Sequence, residues 1–100
     1  MSKQRVADVI AAILVEQGIT DVFMLTGGGA MHLNDAFGRH MGLRKIFNHH
    51  EQASAIAAEA YGRTSNRIAA LNVTTGPGGI NALNGVFGAY VDSIDRKSVV

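Results

Sequence analysis

The sequence predicts an α/β fold, a parallel sheet with helices on both faces, and three observations carry that prediction. Short apolar, β-prone runs alternate with longer segments whose apolar residues recur at helical spacing. Strands separated by helices of this length pair in parallel through right-handed crossovers. Each run ends in a turn that is rich in glycine or carries an acid: Gly27-Gly28-Gly29, Glu51, and Gly76-Pro77-Gly78-Gly79.

The first helix is expected to be capped by Ser2 and to keep Val6, Ile10, Ile13 and Leu14 on one face, with Gly18 beyond its end as the C′ residue. Asp21 to Leu25 is a short apolar run bounded by turn formers and reads as a buried strand. After the three glycines a second helix carries Met31, Leu33, Phe37 and Met41, with Gly42 beyond it. Leu43 to Asn48 is the second strand, 51–63 the third helix, and Ile68 to Val73 the third strand. A fourth helix follows the Gly-Pro-Gly-Gly turn. It sets Ile80, Leu83, Val86, Phe87 and Tyr90 along one broad face that needs a sheet to cover it. Met24, Met31 and Met41 read as core filler, and Glu59 with Arg63 as a solvent-facing i,i+4 pair.

This order ends on a helix, where a βα unit would normally return to the sheet. Asp92-Ser93-Ile94 leads toward another strand, but the chain continues as Asp95-Arg96-Lys97-Ser98-Val99-Val100, which matches one frame of a common sequencing-adapter sequence. The expectation is a partial domain over residues 1–94, a sheet that stops short, and a non-native tail over residues 95–100 that carries no function.

One hundred residues allow one small domain. An apolar share of 47% against 17% charged suits a sheet covered by helices and excludes disorder. The net charge of +1 gives no footprint for nucleic acid or an anionic membrane. The absence of cysteine excludes disulfide and thiolate chemistry. No apolar run reaches bilayer length, and the N-terminal residues lead into a helix with Asp8 and Glu16 rather than an apolar signal core. These features point to the cytoplasm, with no nucleic-acid or membrane partner.

In a parallel sheet the three turns share one carboxyl edge, where α/β folds hold ligands. Glycines there let a ligand approach the backbone. Glu51, placed where strand meets helix, either favours the positive end of the helix dipole or acts as a proton-transfer group aimed at a cofactor. The dinucleotide fingerprint fails, because His32 stands where its third glycine belongs. The P-loop fails too, since counting from Gly76 gives Asn81-Ala82-Leu83 in place of Gly-Lys-Ser/Thr. His49 and His50 are adjacent and point to opposite faces of an extended segment, and no metal-binding His or Cys motif is present. No protein-only metal site is therefore expected. His50 can face the ligand edge, whereas His40 reads as solvated.

Val22-Phe23 with Gly27-Gly28, then His50-Glu51-Gln52-Ala53, then Thr75-Gly76-Pro77-Gly78-x-x-Asn81, then Asp92-Ser93-Ile94 form an ordered pattern. It resembles the N-terminal, pyrimidine-binding domain of thiamine diphosphate-dependent enzymes, most nearly the acetolactate synthase group, over residues 4–94. The resemblance implies thiamine diphosphate as cofactor and a decarboxylating carboligation of 2-keto acids such as pyruvate, a transferase reaction of branched-chain amino acid biosynthesis. It implies Glu51 as the catalytic acid–base residue. In that family the matching glutamate hydrogen-bonds the pyrimidine N1′ nitrogen and favours the imino tautomer that removes the thiazolium proton. Burial beside Ala53, Ile56 and Ala57 would suit a carboxyl group that shares a proton. Pro77, Gly78 and Asn81 match the turn flanking the pyrimidine. Gly27, Gly28 and Gly29 match the loop near the substrate and, in acetolactate synthases, near FAD. Gln52 matches a glutamine beside the reaction centre. Family enzymes bind the diphosphate and Mg2+ on a separate C-terminal domain and form their sites between subunits. This implies a homodimer or homotetramer, and no activity for this segment alone.

Two departures fall where substrate and flavin would be met. Leu25-Thr26-Gly27-Gly28-Gly29 replaces the usual Tyr-Pro-Gly-Gly-Ala, and His32 replaces a proline. They leave the cofactor untouched, weigh against FAD, and make His32 a candidate polar contact to substrate. The alternatives are another thiamine diphosphate-dependent 2-keto acid decarboxylase or lyase, and a stand-alone nucleotide- or anion-binding module built on the same turns.

Overall fold

Helix α1 (Val6–Glu16) begins where Arg5, in extended conformation, hands over to an alanine-rich segment, in a computed structural model that describes residues 3–92 and the backbone of 97–99. Ser2, the expected cap, lies outside the described residues. Arg5 makes no cap bond through its side chain and pairs with Asp8 at 3.1 Å instead. At the other end Gly18 takes φ +85°, its amide donating to the Val15 carbonyl and that of Ile19 to the Leu14 carbonyl, each at 3.0 Å. That pair of bonds is a Schellman closure, and only glycine reaches its φ without strain. The buried face differs from the expected one: Ala7, Ala11 and Leu14 are buried, while Val6 and Ile13 are exposed. Alanines let the helix backbone approach its neighbours closely, which turns the larger side chains outward.

The strands are β1 (Asp21–Met24), β2 (Arg44–Phe47), β3 (Ala70–Asn72) and β4 (Lys97–Val99), all parallel in the order β2-β1-β3-β4. Each of the first three is shorter than its apolar run, because pairing stops where the chain diverges toward a helix. The sheet has one strand more than the three read from the sequence. Lys97–Val99 pairs with Ala70–Asn72 in parallel register, so the chain does return to the sheet after the last helix. Strand pairing is made by backbone groups, and a short polar segment can therefore supply it. Ser93, Ile94, Asp95, Arg96 and Val100 lie outside the described residues.

The sheet separates two helix layers. Val22, Met24 and Ala70 pack with α1 and with α2 (Met31–Arg39), around the fully buried Phe37 and Leu43. Phe23, Leu71 and Val73 face the other layer, α3 (Glu51–Ser65) and α4 (Pro77–Val91). Burying one side chain the size of Phe37 stabilises the fold by roughly 1.5–3 kcal/mol. Of the methionines expected in the core, Met24 is there, but Met31 and Met41 are exposed.

Helix α4 also turns a different face inward. Gly78, Ala82, Gly85 and Ala89 are buried, while Leu83, Phe87 and Tyr90 stay 55%, 67% and 79% exposed. A Cβ on Gly85 would stand 2.6 Å from the Ala55 carbonyl carbon and 2.8 Å from the Ile56 amide nitrogen. The small residues thus permit main-chain contact between α3 and α4, and that contact decides the rotation of α4. At the amino edge of the sheet, Asp21 is buried. Burial pushes its carboxyl up, but the neighbouring Tyr61 hydroxyl and hydrogen bonds from Arg44 and Thr20 outweigh burial and hold it below the usual carboxylate range. The expected Glu59–Arg63 pair forms at 2.6 Å, and Arg63 also pairs with Asp92 at the end of α4.

Candidate functional site

Strand β1 lies between β2 and β3, so the winding of the sheet reverses between β1 and β3. The loop after β1 leaves toward α2 and the loop after β3 toward α4, on the opposite face. Parallel sheets hold their ligands in the crevice that opens at such a point. Here the two loops touch. The Gly29 amide donates to Thr74 Oγ1 at 3.0 Å. A Cβ on Gly27 would fall 2.6 Å from the Thr74 Cβ, and one on Gly29 2.8 Å from Thr74 Oγ1. Glycine is needed at both positions for that approach.

Glu51 reaches the same edge from the start of α3. His50 is extended and caps the helix, its Nδ1 accepting from the Gln52 amide at 3.0 Å. The cap fixes the imidazole with Nδ1 as the acceptor. The Glu51 carboxylate then crosses to α4, where Oε1 accepts from Asn81 Nδ2 at 3.2 Å. Its Oε2 lies on the Gly78 side, 3.3 Å from where a Gly78 Cβ would stand, and that same Cβ would be 2.8 Å from Thr74 Cγ2. Gly76 takes φ +68° as the N-cap of α4, and Pro77 follows in its first turn, where a missing amide proton is no loss. Gly27–Gly29, Thr74, Gly78, Glu51 and Asn81 thus form one contiguous wall. Glu51 is half-buried. Of the neighbours expected beside it, Ala53 and Ile56 are exposed and Ala57 is half-buried, and Gly78 and Asn81 of α4 lie against its carboxylate.

Most of the remaining candidates adjoin this wall. Gln52 is half-buried beside Glu51, while Gly28 and Pro77 are exposed. The structure groups His32 with Arg5, Val6 and Ala7, around a depression of about 300 Å³ between α1 and α2, rather than with Glu51. Nearby, Arg5 and Arg39 hold the half-buried Asp8 and the exposed Asp35 below the ordinary carboxylate range. Sequence reasoning missed Thr74, which ties the two loops together. It also missed two asparagines: buried Asn72 donates through Nδ2 to Asn34 Oδ1 at 2.8 Å, and Asn34 Nδ2 donates to the Gly27 carbonyl at 3.1 Å. The available signal was a polar residue in the apolar run Ala69-Ala70-Leu71-Asn72-Val73. Among the described residues, no helix is long and apolar enough to cross a membrane, and no three His, Asp or Glu side chains cluster as a metal site would require.

The family profile described as "Thiamine pyrophosphate enzyme, N-terminal TPP binding domain" matches residues 4–95. The chain belongs to this family. As a thiamine pyrophosphate enzyme domain it has the α/β fold and the parallel sheet on which the three turns converge. It is 38% identical over 88 residues, 88% of the chain, to the acetolactate synthase large subunit of Buchnera aphidicola subsp. Schizaphis graminum. It is 35% identical over 93 residues, 93% of the chain, to the chloroplastic acetolactate synthase of Arabidopsis thaliana. To the acetolactate synthase large subunit of Haemophilus influenzae it is 34% identical over 94 residues, 94% of the chain. The matched segment makes up only 15%, 14% and 16% of those three relatives.

Proposed function

We propose that this domain holds the pyrimidine ring of thiamine diphosphate against Glu51. We take it to serve an enzyme that decarboxylates a 2-keto acid such as pyruvate and joins the remaining fragment to an acceptor, as an acetolactate synthase does. The observation that carries this reading is the Glu51 carboxylate set against Gly78 and Asn81 at the carboxyl edge, beside the β1/β3 reversal. When bound, the cofactor supplies the nucleophilic carbon that adds to the keto carbonyl and takes up the electron pair left by carbon dioxide. The chain's own residues do the rest. Asn81 Nδ2 occupies Oε1, so Oε2 is the oxygen left to hold a proton and exchange it with a ring nitrogen. Gly78 contributes no side chain and leaves room for a flat ring, with Pro77 fixing the turn beside it. Gly27, Gly28 and Gly29 continue the same wall through Thr74.

We assign Gln52 to the substrate side, and the diphosphate with its Mg2+ to a second domain, with assembly as a homodimer or homotetramer in the cytoplasm. An FAD, where one is used, would lie beside Gly27–Gly29. The test is turnover of pyruvate by the full-length enzyme that carries this domain. Carbon dioxide release should require added thiamine diphosphate and Mg2+. Glu51→Gln should lower it by roughly 10²–10⁴-fold, the usual worth of a positioned acid–base group. Release that is independent of the cofactor, or equal in the variant, refutes the reading.

A further inference from the structure

Asn72 is fully buried at 0% exposure, in a strand whose other members are Ala70 and Leu71. A buried amide destabilises a fold unless both of its ends find partners. One end does. The Gly27 carbonyl can only accept, so Asn34 turns its NH2 to that carbonyl and its oxygen to Asn72. Asn72 must then turn its NH2 to Asn34. Its Oδ1 faces away and, among the described residues, has no hydrogen-bond partner. One carbonyl thereby dictates the orientation of both amides.

That carbonyl also accepts from the Ala30 amide at 3.2 Å, closing the short 3-10 turn Gly28–Ala30. From this turn Gly29 reaches Thr74, and Thr74 lies against Gly78 beside Glu51. A displacement of Gly27 therefore travels to the wall of the site. Stability alone does not explain the arrangement. Replacing both members of a buried polar pair by apolar side chains of similar shape is often neutral or stabilising, and an orphaned buried oxygen calls for a reason.

We propose that Asn34 and Asn72 are positioning residues, a two-amide relay that fixes the Gly27–Gly29 loop as the wall of the Glu51 site and so sets the fit of the 2-keto acid. The substrate part rests on the function proposed above; the loop part does not. The test is the double variant Asn34→Leu/Asn72→Leu, made in this chain and in the full-length enzyme. The melting temperature should equal or exceed that of the parent. Hydrogen exchange at the Gly29 amide should rise about tenfold or more as its bond to Thr74 opens. KM for pyruvate should rise about tenfold, while exchange of the bound cofactor's thiazolium proton stays within about twofold. Should the double variant not fold, Asn34→Asp decides. It keeps the shape and still accepts from Asn72, but it turns an oxygen on the Gly27 carbonyl and should open the loop equally. Unchanged Gly29 exchange and unchanged KM in a folded variant overturn the relay and leave the cofactor reading intact. If thiazolium exchange in the parent does not depend on Glu51, the cofactor reading fails, and Gly29 exchange alone decides the relay.

Discussion

Substituting one hydrogen by a methyl group at Gly85 should cost this fold more than most surface changes. The new Cβ would stand 2.6 Å from the Ala55 carbonyl carbon and 2.8 Å from the Ile56 amide nitrogen, both main-chain atoms of α3. A side chain could rotate away; a helix backbone cannot, so α3 and α4 must separate. Overpacking of this kind costs about 1–3 kcal/mol, and the rigid obstacle places Gly85→Ala near the upper end. Alanine returns about 1 kcal/mol of helix propensity over glycine. The net expectation is a destabilisation of about 2 kcal/mol, or a melting temperature lower by roughly 8–16 °C for a domain of this size. Gly38→Ala in α2 is the control. A Cβ there meets nothing within 4 Å, and the variant should gain about 0.5–1 kcal/mol. Urea unfolding followed by circular dichroism measures both. If Gly85→Ala is as stable as the parent, or gains like Gly38→Ala, the main-chain contact between α3 and α4 is refuted.

Two further outcomes follow from the geometry. Gly78→Ala meets the Thr74 methyl, which can turn aside, and stands 3.3 Å from Glu51 Oε2. Its unfolding free energy should stay within about 1 kcal/mol of the parent, because helix propensity offsets the crowding. The thiamine diphosphate concentration needed for half-maximal activity of the full-length enzyme should nevertheless rise about tenfold, since Oε2 loses its open side. Asp21 titrates in the folded chain below its unfolded value of about 3.9. Its stabilising contribution is therefore complete above about pH 4 and is lost as pH falls through the lower folded value. Urea midpoints between pH 6 and pH 3 should hold steady and then drop, and Asp21→Asn should drop less steeply; an equally steep fall in the variant rejects this role.

Much of the architecture was legible because it is written locally. Apolar runs bounded by Gly18, Gly27 and Gly76 announce strands and turns at short range, and parallel pairing then brings Glu51 and both glycine turns to one edge. Helix rotation was not legible. In α1 and α4 the periodic large residues Val6, Ile13, Leu83 and Phe87 mark an apolar face, but Ala7, Ala11, Gly85 and Ala89 take the packing because close approach selects small side chains. Strand β2 leaves Phe47 59% exposed because it is the edge strand, a position that nothing in its own residues announces. The strand at Lys97–Val99 pairs through backbone groups that no composition announces. Thr74, Asn34 and Asn72 act through partners 7–45 positions away, and of the three only Asn72, a polar residue in an apolar run, was marked in the sequence.

Control by Glu51 of a proton on thiamine diphosphate is measured most directly as hydrogen–deuterium exchange at the thiazolium carbon of the cofactor bound to the full-length enzyme, followed by quenched-flow NMR. Glu51→Gln keeps the length of the side chain and its carbonyl oxygen for Asn81, so the fold and the Asn81 contact should survive, which a matching melting curve confirms. Exchange should slow by roughly 10²–10⁴-fold in the variant. Exchange at the wild-type rate in a folded, cofactor-loaded Glu51→Gln enzyme would contradict such control.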